Sequence, residues 1–454
     1  MILRFLPGLA LTIAFAACTP TNGDVAERSE NIPTALPVMN TFGAHNTPRP
    51  SRSNTAIAAD FLDLTFQMES GRVIDRMSRF EGPITVAVTP GAPAHLIADL
   101  DGLIARLRSE AGIDISRVSG GAGGSASIIV ETLPRARMQR VVPQAACFVV
   151  PRVASWSEFR RSRAGRTLDW TTLNSREHVA VFIPSDVAPQ EVRDCLHEEI
   201  AQALGPLNDL YRLPDSVFND DNFHAVLTGF DMLILRTYYD DALQSGMTRA
   251  EVASRLPAIL ARLNPRGGRG SELSRSHTPR EWIAAIETAL GPGTTDIERI
   301  AAANQAVQFA QRSGWSDSRL AFSYFALGRL TLSREVETSI AAFQSASAIF
   351  DRVAPGGIQS AHIDMQLAAF ALAAGRSEES LRLTARAMPI ATQAQNASLL
   401  STLLMIRAEA MDNLGRASEA RAVRLDSLAW GRYGFGSDRV GTRLSEVAAL
   451  SPRR

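Results

Sequence analysis

The sequence predicts an α+β domain followed by an all-α array of paired helices, and three observations carry that prediction. In the first half, short β-rich segments alternate with amphipathic helical stretches. A Gly/Arg/Ser-rich break then runs through 264–276. From Trp282 onward the chain is Ala- and Leu-rich with helical periodicity. The 454 residues carry 47 basic and 47 acidic side chains, and every basic one is arginine. Without lysine there is no Schiff base, lysine general base or phosphate-loop lysine. The neutral balance argues against a nucleic-acid partner.

The N-terminus sets the expected location. Met1-Ile2-Leu3-Arg4 is a short positive start, and 5–17 is an almost uninterrupted apolar run. That run is too short to cross a bilayer core, which needs about 20 residues, so 1–17 reads as a secretory signal peptide. Phe15-Ala16-Ala17-Cys18 resembles a bacterial lipobox. The resemblance implies cleavage before Cys18, lipidation of its sulfur and acylation of the new amino terminus. Residues 18–55, rich in Thr, Asn, Pro, Ser and Ala, then read as the lipidated cysteine and a flexible tether. The expected place is the bacterial cell envelope, facing the periplasm, with the membrane as partner through the lipid anchor.

Cys147 and Cys195 are the two further cysteines. In an oxidising compartment they are expected to form a disulfide, two buried thiols being the alternative. Cys147 lies in an apolar run, 145–150, that reads as a strand, and Cys195 lies in a helix. The bond would staple helix to sheet.

The α+β domain is expected over 56–262. Residues 61–67 read as a short strand or helical turn, and 83–89 as a strand bounded by Gly82 and Pro90. Leu96, Ile97, Leu100, Leu103, Ile104 and Leu107 recur at helical spacing, and Gly112 ends that helix. Ile113 and Ile115 alternate with polar residues. The loop Gly120-Gly121-Ala122-Gly123-Gly124 lacks the spacing of a phosphate cradle and reads as a mobile hairpin before a strand at 127–130. A strand at 178–183 precedes a helix beginning near Ser185-Asp186. A sheet backed by helices follows.

That last helix ends in Cys195-Leu196-His197-Glu198-Glu199-Ile200-Ala201-Gln202-Ala203-Leu204-Gly205-Pro206-Leu207-Asn208-Asp209. His197-Glu198 suggests a zinc signature, but the second histidine of such a pair would fall at Ala201. Shifted by one residue, the stretch resembles a metzincin zinc helix ending at its glycine turn. In that register Glu198, Gln202 and Asn208 stand where the family has histidines, Glu199 stands at the general base and Gly205 at the turn. Neutral amide oxygens are poor zinc ligands. With Leu213-Pro214-Asp215-Ser216-Val217-Phe218 and the helix 230–240, the segment resembles the bacterial family called domain of unknown function 2927, over about 56–260. The resemblance implies a zincin-like fold and no established reaction. Met232 sits within the apparent helix, so no methionine turn is evident.

After a linker at 263–279, helices are expected near 280–290, 297–313, 316–332, 335–353, 358–374, 377–394, 396–414 and 417–432 within an array spanning 280–454. Their breaks share a form at Leu327-Gly328-Arg329, Ala374-Gly375-Arg376 and Leu414-Gly415-Arg416. This resembles tetratricopeptide-type helix pairs, with Ala342, Ala385 and Ala422 among the close-contact positions; a generic antiparallel bundle is the alternative. The partner such repeats imply is an envelope protein or peptide.

Two functions are compatible with these residues. In the first, the protein is a non-catalytic lipoprotein: Glu199 bonds loop amides, Gln202 and Asn208 tie the loop down, and Asp209 and Asp215 cap turns. No cofactor is then required. In the second, Glu198, Glu199, Asp209, Asp215 and His224 form a carboxylate-rich cleft binding an ion such as calcium or magnesium, and Glu199 is the general base of a membrane-tethered hydrolase. His197 falls on the opposite side from Glu199 and is expected to be exposed or half-buried.

Overall fold

The computed structural model describes residues 36–43, 47–118, 126–269 and 276–452. The signal peptide, Cys18, His45 and the glycine-rich loop at 120–124 lie outside the described residues.

The first half runs α1 (Asn54–Thr65), β1 (Ile84–Val88), α2 (Ala94–Glu110), β2 (Ile115–Arg117), β3 (Ile128–Leu133), α3 (Arg135–Gln139), β4 (Phe148–Pro151), α4 (Trp156–Ser162), β5 (Val179–Pro184), α5 (Pro189–Leu204), α6 (Gly229–Tyr238) and α7 (Arg249–Leu263). The strands form one sheet in the order β2-β1-β3-β5-β4, parallel except for the antiparallel edge pair β4–β5. Strands β2 and β3 run parallel on either side of β1, so they are not hairpin partners. β5 is buried along its whole length, as a strand covered on both faces must be. Its alternate side chains go to different cores. Val179, Val181 and Ile183 join the main core with Ile84, Val86, Ile128 and Val130. Ala180 and Phe182 face the other way, where Phe182 meets Phe148, Trp156 and Phe159.

α1 replaces the expected strand or turn at 61–67. Its N-cap is Ser53, whose hydroxyl accepts from the Ala56 amide at 3.0 Å. The Cys147–Cys195 disulfide is present, with Cα atoms 6.0 Å apart, and joins the start of β4 to the middle of α5.

The second half contains, among the described residues, nine helices: α8 (Arg280–Leu290), α9 (Asp296–Arg312), α10 (Ser318–Thr331), α11 (Val336–Val353), α12 (Ile358–Ala373), α13 (Ser377–Gln393), α14 (Ala397–Asn413), α15 (Ala417–Phe435) and α16 (Val440–Ala448). From α8 to α15 each helix packs on its sequence neighbours. Gly375 and Gly415 do make the turns after α12 and α14, with φ of +73° and +77° that favour glycine. Gly328 does not. It lies inside α10, where a Cβ would come within 3.0 Å of the Phe343 ring. Ala342 is buried, but Ala385 and Ala422 are exposed; the buried alanines of those helices are Ala387 and Ala391 in α13 and Ala420 and Ala429 in α15.

Leu36–Arg454 form one compact unit. Two contacts explain why. The loop between α5 and α6 sends Tyr211 and Phe223 into the core of the helical array, where Phe223 meets Phe322, Phe325, Phe350 and His362. The described part of the expected tether is also packed down. Phe42 packs tilted on Trp430 with ring centroids 4.5 Å apart, the Asn40 amide donates to the Ala429 carbonyl at 3.1 Å, and Leu36 packs against a buried cluster drawn from α12 to α16. Arg52, 1 % exposed, lies over the Phe230 ring and pairs with Asp60 at 2.6 Å and with Asp215. The flexible-tether expectation is therefore corrected for 36–43 and 47–55: a few side chains with distant partners hold a stretch whose average composition is polar.

Phe223→Ala should destabilise the chain by about 3–5 kcal/mol, the usual cost of emptying a buried aromatic site. Urea unfolding should show the array melting before the sheet domain. A single transition within about 1 kcal/mol of the wild type would contradict the docking role of Phe223.

Candidate functional site

α5 begins with Pro189 at its first turn and stops at Gly205, whose amide bonds back to the Ala201 carbonyl at 3.0 Å. A Cβ on Gly205 would lie 2.9 Å from the Tyr238 ring of α6, so close approach demands glycine here. The last carbonyls of a helix lack intrahelical partners. Arg176, 4 % exposed, supplies them: its guanidinium donates to the carbonyls of Gln202 (2.5 Å), Ala203 (2.7 Å) and Gly205 (2.5 Å) and lies over the Trp170 ring. A cation at this pole also opposes the helix dipole.

Glu198 and Glu199 sit on the penultimate turn. Glu199 is 4 % exposed and Glu198 half-buried. One carboxylate oxygen of each and the Cys147 sulfur all lie within 4.8 Å of one another. That sulfur is held in the disulfide and is not a thiolate. Asp209 and Asp220 come from the loop after α5, and Glu69 from the turn after α1. Asp209 is within electrostatic reach of Asp220, Glu198, Glu69 and Glu199. Tyr211 lies within electrostatic reach of Asp220. Burial first, and mutual repulsion second, push Glu198 and Asp220 up to about 7, and hold Glu199 and Asp209 well above the usual carboxylate range. Oε2 of Glu199 and Oδ1 of Asp209 are buried without a hydrogen-bond partner.

The expected site residues thus separate into two groups. Glu198 and Glu199 come together, and Asp209 lies within electrostatic reach of both. Asn208 is turned to α1, its amide nitrogen donating to the Asp63 carbonyl at 2.9 Å. Gln202 is held through its backbone carbonyl, by Arg176. Asp215 pairs with Arg52, and with His224 it lines a different cavity of about 390 Å³. The Nε2 of His224 lies 3.0 Å from the Pro214 carbonyl. His197 is buried rather than exposed, and its Nδ1 accepts from the Leu227 amide at 3.1 Å. Loop amides do not cap Glu199 Oε2. Glu69 and Asp220 were not foreseen: they sit in polar turns, Met68-Glu69-Ser70-Gly71 and Asn219-Asp220-Asp221-Asn222, with no spacing that ties them to the helix.

Residues 54–258 match the family model described as "Protein of unknown function (DUF2927)". This part of the chain is a DUF2927 domain. It contains all five carboxylates of the cluster, while the helical array lies outside the matched residues. No match appears among curated proteins or among solved structures.

A zinc-peptidase centre does not fit this DUF2927 domain. Its donors are carboxylates without an imidazole, the neighbouring sulfur is oxidised, and the histidine of α5 faces a backbone amide.

The cluster sets a pH dependence. In the folded chain these carboxyls keep protons that the unfolded chain releases near about pH 4.3. Between that value and about 7 the folded state therefore binds more protons, and stability falls as pH rises. In EDTA, the melting temperature should fall as pH rises from about 5 to about 8, because the carboxyls release protons that the folded state had kept. Glu199→Gln, which removes one such ionisation, should flatten the drop. A melting temperature that climbs over this range would contradict the assignment.

Proposed function

We propose that this protein is a cell-envelope lipoprotein in which the DUF2927 domain is a non-catalytic, zincin-like scaffold and the helical array is the protein-binding part. The observation that carries the non-catalytic reading is the state of Glu199. It occupies the place of a general base, yet it is 4 % exposed and crowded by carboxylates, and burial first, with that crowding second, holds it well above the usual carboxylate range. A general base must reach the water it activates, and a side chain this enclosed offers water little access. The mixed sheet with α5 packed on β4 and β5 supports the zincin-like reading.

Attachment rests on Cys18. Among the described residues no helix is long and apolar enough to cross a membrane. For the array, the supporting contact lies within the chain: residues 36–43 are seated against α15, with Phe42 on Trp430 and the Arg432 guanidinium donating to the Pro37 carbonyl. A surface that seats one extended segment fits a peptide or protein partner of the envelope.

In cells, the wild-type chain should sediment with membranes and incorporate a labelled fatty acid, and Cys18→Ser should lose both properties. Wild-type protein that stays unlabelled in the soluble fraction contradicts the lipoprotein reading. Zinc-supplemented peptidase activity abolished by Glu199→Gln contradicts the non-catalytic one.

A further inference from the structure

We propose that the Cys147–Cys195 disulfide is a redox-active site that exchanges with an external dithiol, and that Glu198 and Glu199 give the protons its two sulfurs take up on reduction. The domain is the substrate of this exchange and hydrolyses nothing, so the proposal stands or falls separately from the non-catalytic reading.

Position brings these groups together. Cys195 lies in the middle of α5, and Glu198 and Glu199 follow it at three and four residues, the spacings that share a helix face. Cys147 stands just before the edge strand β4, and its sulfur and one carboxylate oxygen from each glutamate lie within 4.8 Å of one another. The two sulfurs differ in access. Cys195 is 3 % exposed, whereas Cys147 is half-buried at the end of a loop whose Pro143, Gln144 and Ala146 are exposed. An incoming thiolate therefore meets Cys147, and Cys195 is the leaving sulfur.

Reduction needs protons here. Two thiolates in place of the disulfide would add negative charge beside buried carboxylates, and burial disfavours each such charge. Glu199 is a donor within reach: it is 4 % exposed, its Oε2 is buried without a partner, and burial holds it well above the usual carboxylate range. The proton of such a carboxyl finds a weak acceptor in a disulfide sulfur and a charged one in a thiolate. The groups acting on the pair are themselves acidic. Glu69 acts on both glutamates, Asp220 on Glu198, and Asp209 is acted on by both glutamates. Arg280 of α8 acts on Glu69 and Asp220. β4 and β5, the strands packed on α5, bring no charged side chain. α2 and α15 place Asp99 and Tyr433 beside Arg193 and Asp194, in the first half of the helix. Arg176 is committed to three backbone carbonyls, and His197 to the Leu227 amide.

The exchange balances. A thiolate of the external dithiol attacks the Cys147 sulfur, the S–S bond breaks, and Cys195 leaves with the electron pair and takes a proton from one glutamate. The second thiolate of the dithiol attacks its own sulfur in the mixed disulfide and expels Cys147, which takes a proton from the other glutamate. The dithiol is oxidised by two electrons and the protein disulfide reduced by two. The two protons that the dithiol loses to solvent are regained from solvent by the glutamates.

The test uses the purified full chain in mild detergent. Reduction by dithiothreitol is stopped with acid, and free Cys147 and Cys195 are counted by mass after maleimide labelling. Each rate is divided by the thiolate concentration at that pH, which removes the ordinary dependence on the attacking sulfur. The rate should be first order in dithiothreitol. The corrected constant should fall at least tenfold as pH rises from about 5 to about 9, because an ionised glutamate has no proton to give. Glu199→Gln should lower the constant at the acid end and flatten the profile. If it gives no cooperative melt, Glu198→Gln, at the half-buried position, takes its place. Glu191→Gln, on the first turn of α5 and paired with Arg135, should keep the wild-type profile. Reduction that stops depending on dithiothreitol concentration and runs at the unfolding rate overturns the proposal, since the bond is then purely structural. So does a corrected constant independent of pH in the wild type, or a wild-type profile in the folded glutamate variant.

Discussion

Negative charge is concentrated at the end of α5, and the domain around it is organised by that fact. The C-terminal pole of a helix already carries a partial negative charge. Here it also carries Glu198 and Glu199 and receives Asp209 and Asp220 from the following loop. Arg176 offsets the backbone part by taking three carbonyls, and that bond set fixes where the helix stops. Gly205 against Tyr238, Asn208 on the Asp63 carbonyl and the disulfide at Cys195 then hold the carboxylates in place. The carboxyls cannot move apart, so burial and mutual repulsion hold them above the usual carboxylate range.

The same loop links this charge to the rest of the chain. Tyr211 lies within electrostatic reach of Asp220, and its ring packs edge-on against Trp282 of α8 at 5.1 Å. Twelve positions later Phe223 enters the aromatic core of the array. Ser318 reaches the Tyr211 carbonyl at 3.2 Å, and Gln359 reaches that of Pro214 at 2.5 Å. One irregular segment therefore completes both the carboxylate cluster and the junction between the sheet domain and the helices. Any change of charge in the cluster acts on a segment that the array also grips. This gives the family domain a physical route to its appended helices without requiring catalysis.

Local pattern was enough for most of the fold. The helices from α8 to α15 lie within two or three residues of their expected positions, because alanine and leucine periodicity and polar breaks report directly on helix pairs. The strands β1, β3 and β5 likewise stand where β-rich runs are bounded by turn residues. Readings that depend on distant partners fared differently. Gly328 looks like a turn glycine, but it is small because Phe343 lies on it. Residues 36–43 look like tether because their few anchors, Leu36, Asn40 and Phe42, meet helices almost four hundred residues away. At the site, Glu198, Glu199 and Asn208 were marked by the register of one helix and its turn, and the fold turns Asn208 to the Asp63 carbonyl. Asp209 and Asp215 were assigned by proximity in sequence, and the fold pairs Asp215 with Arg52 instead. Glu69 and Asp220 carry no local mark, since only the tertiary fold brings their turns to α5.

The ionisation of Glu199 tests the central claim most directly. Infrared difference spectra of the EDTA-treated chain against Glu199→Gln follow its carboxyl through a pH titration. The account predicts a protonated-carboxyl band that persists above the ordinary carboxylate range, because burial and the neighbouring carboxylates disfavour the charged form. A band lost near about pH 4.3, the value of an exposed glutamate, would contradict it.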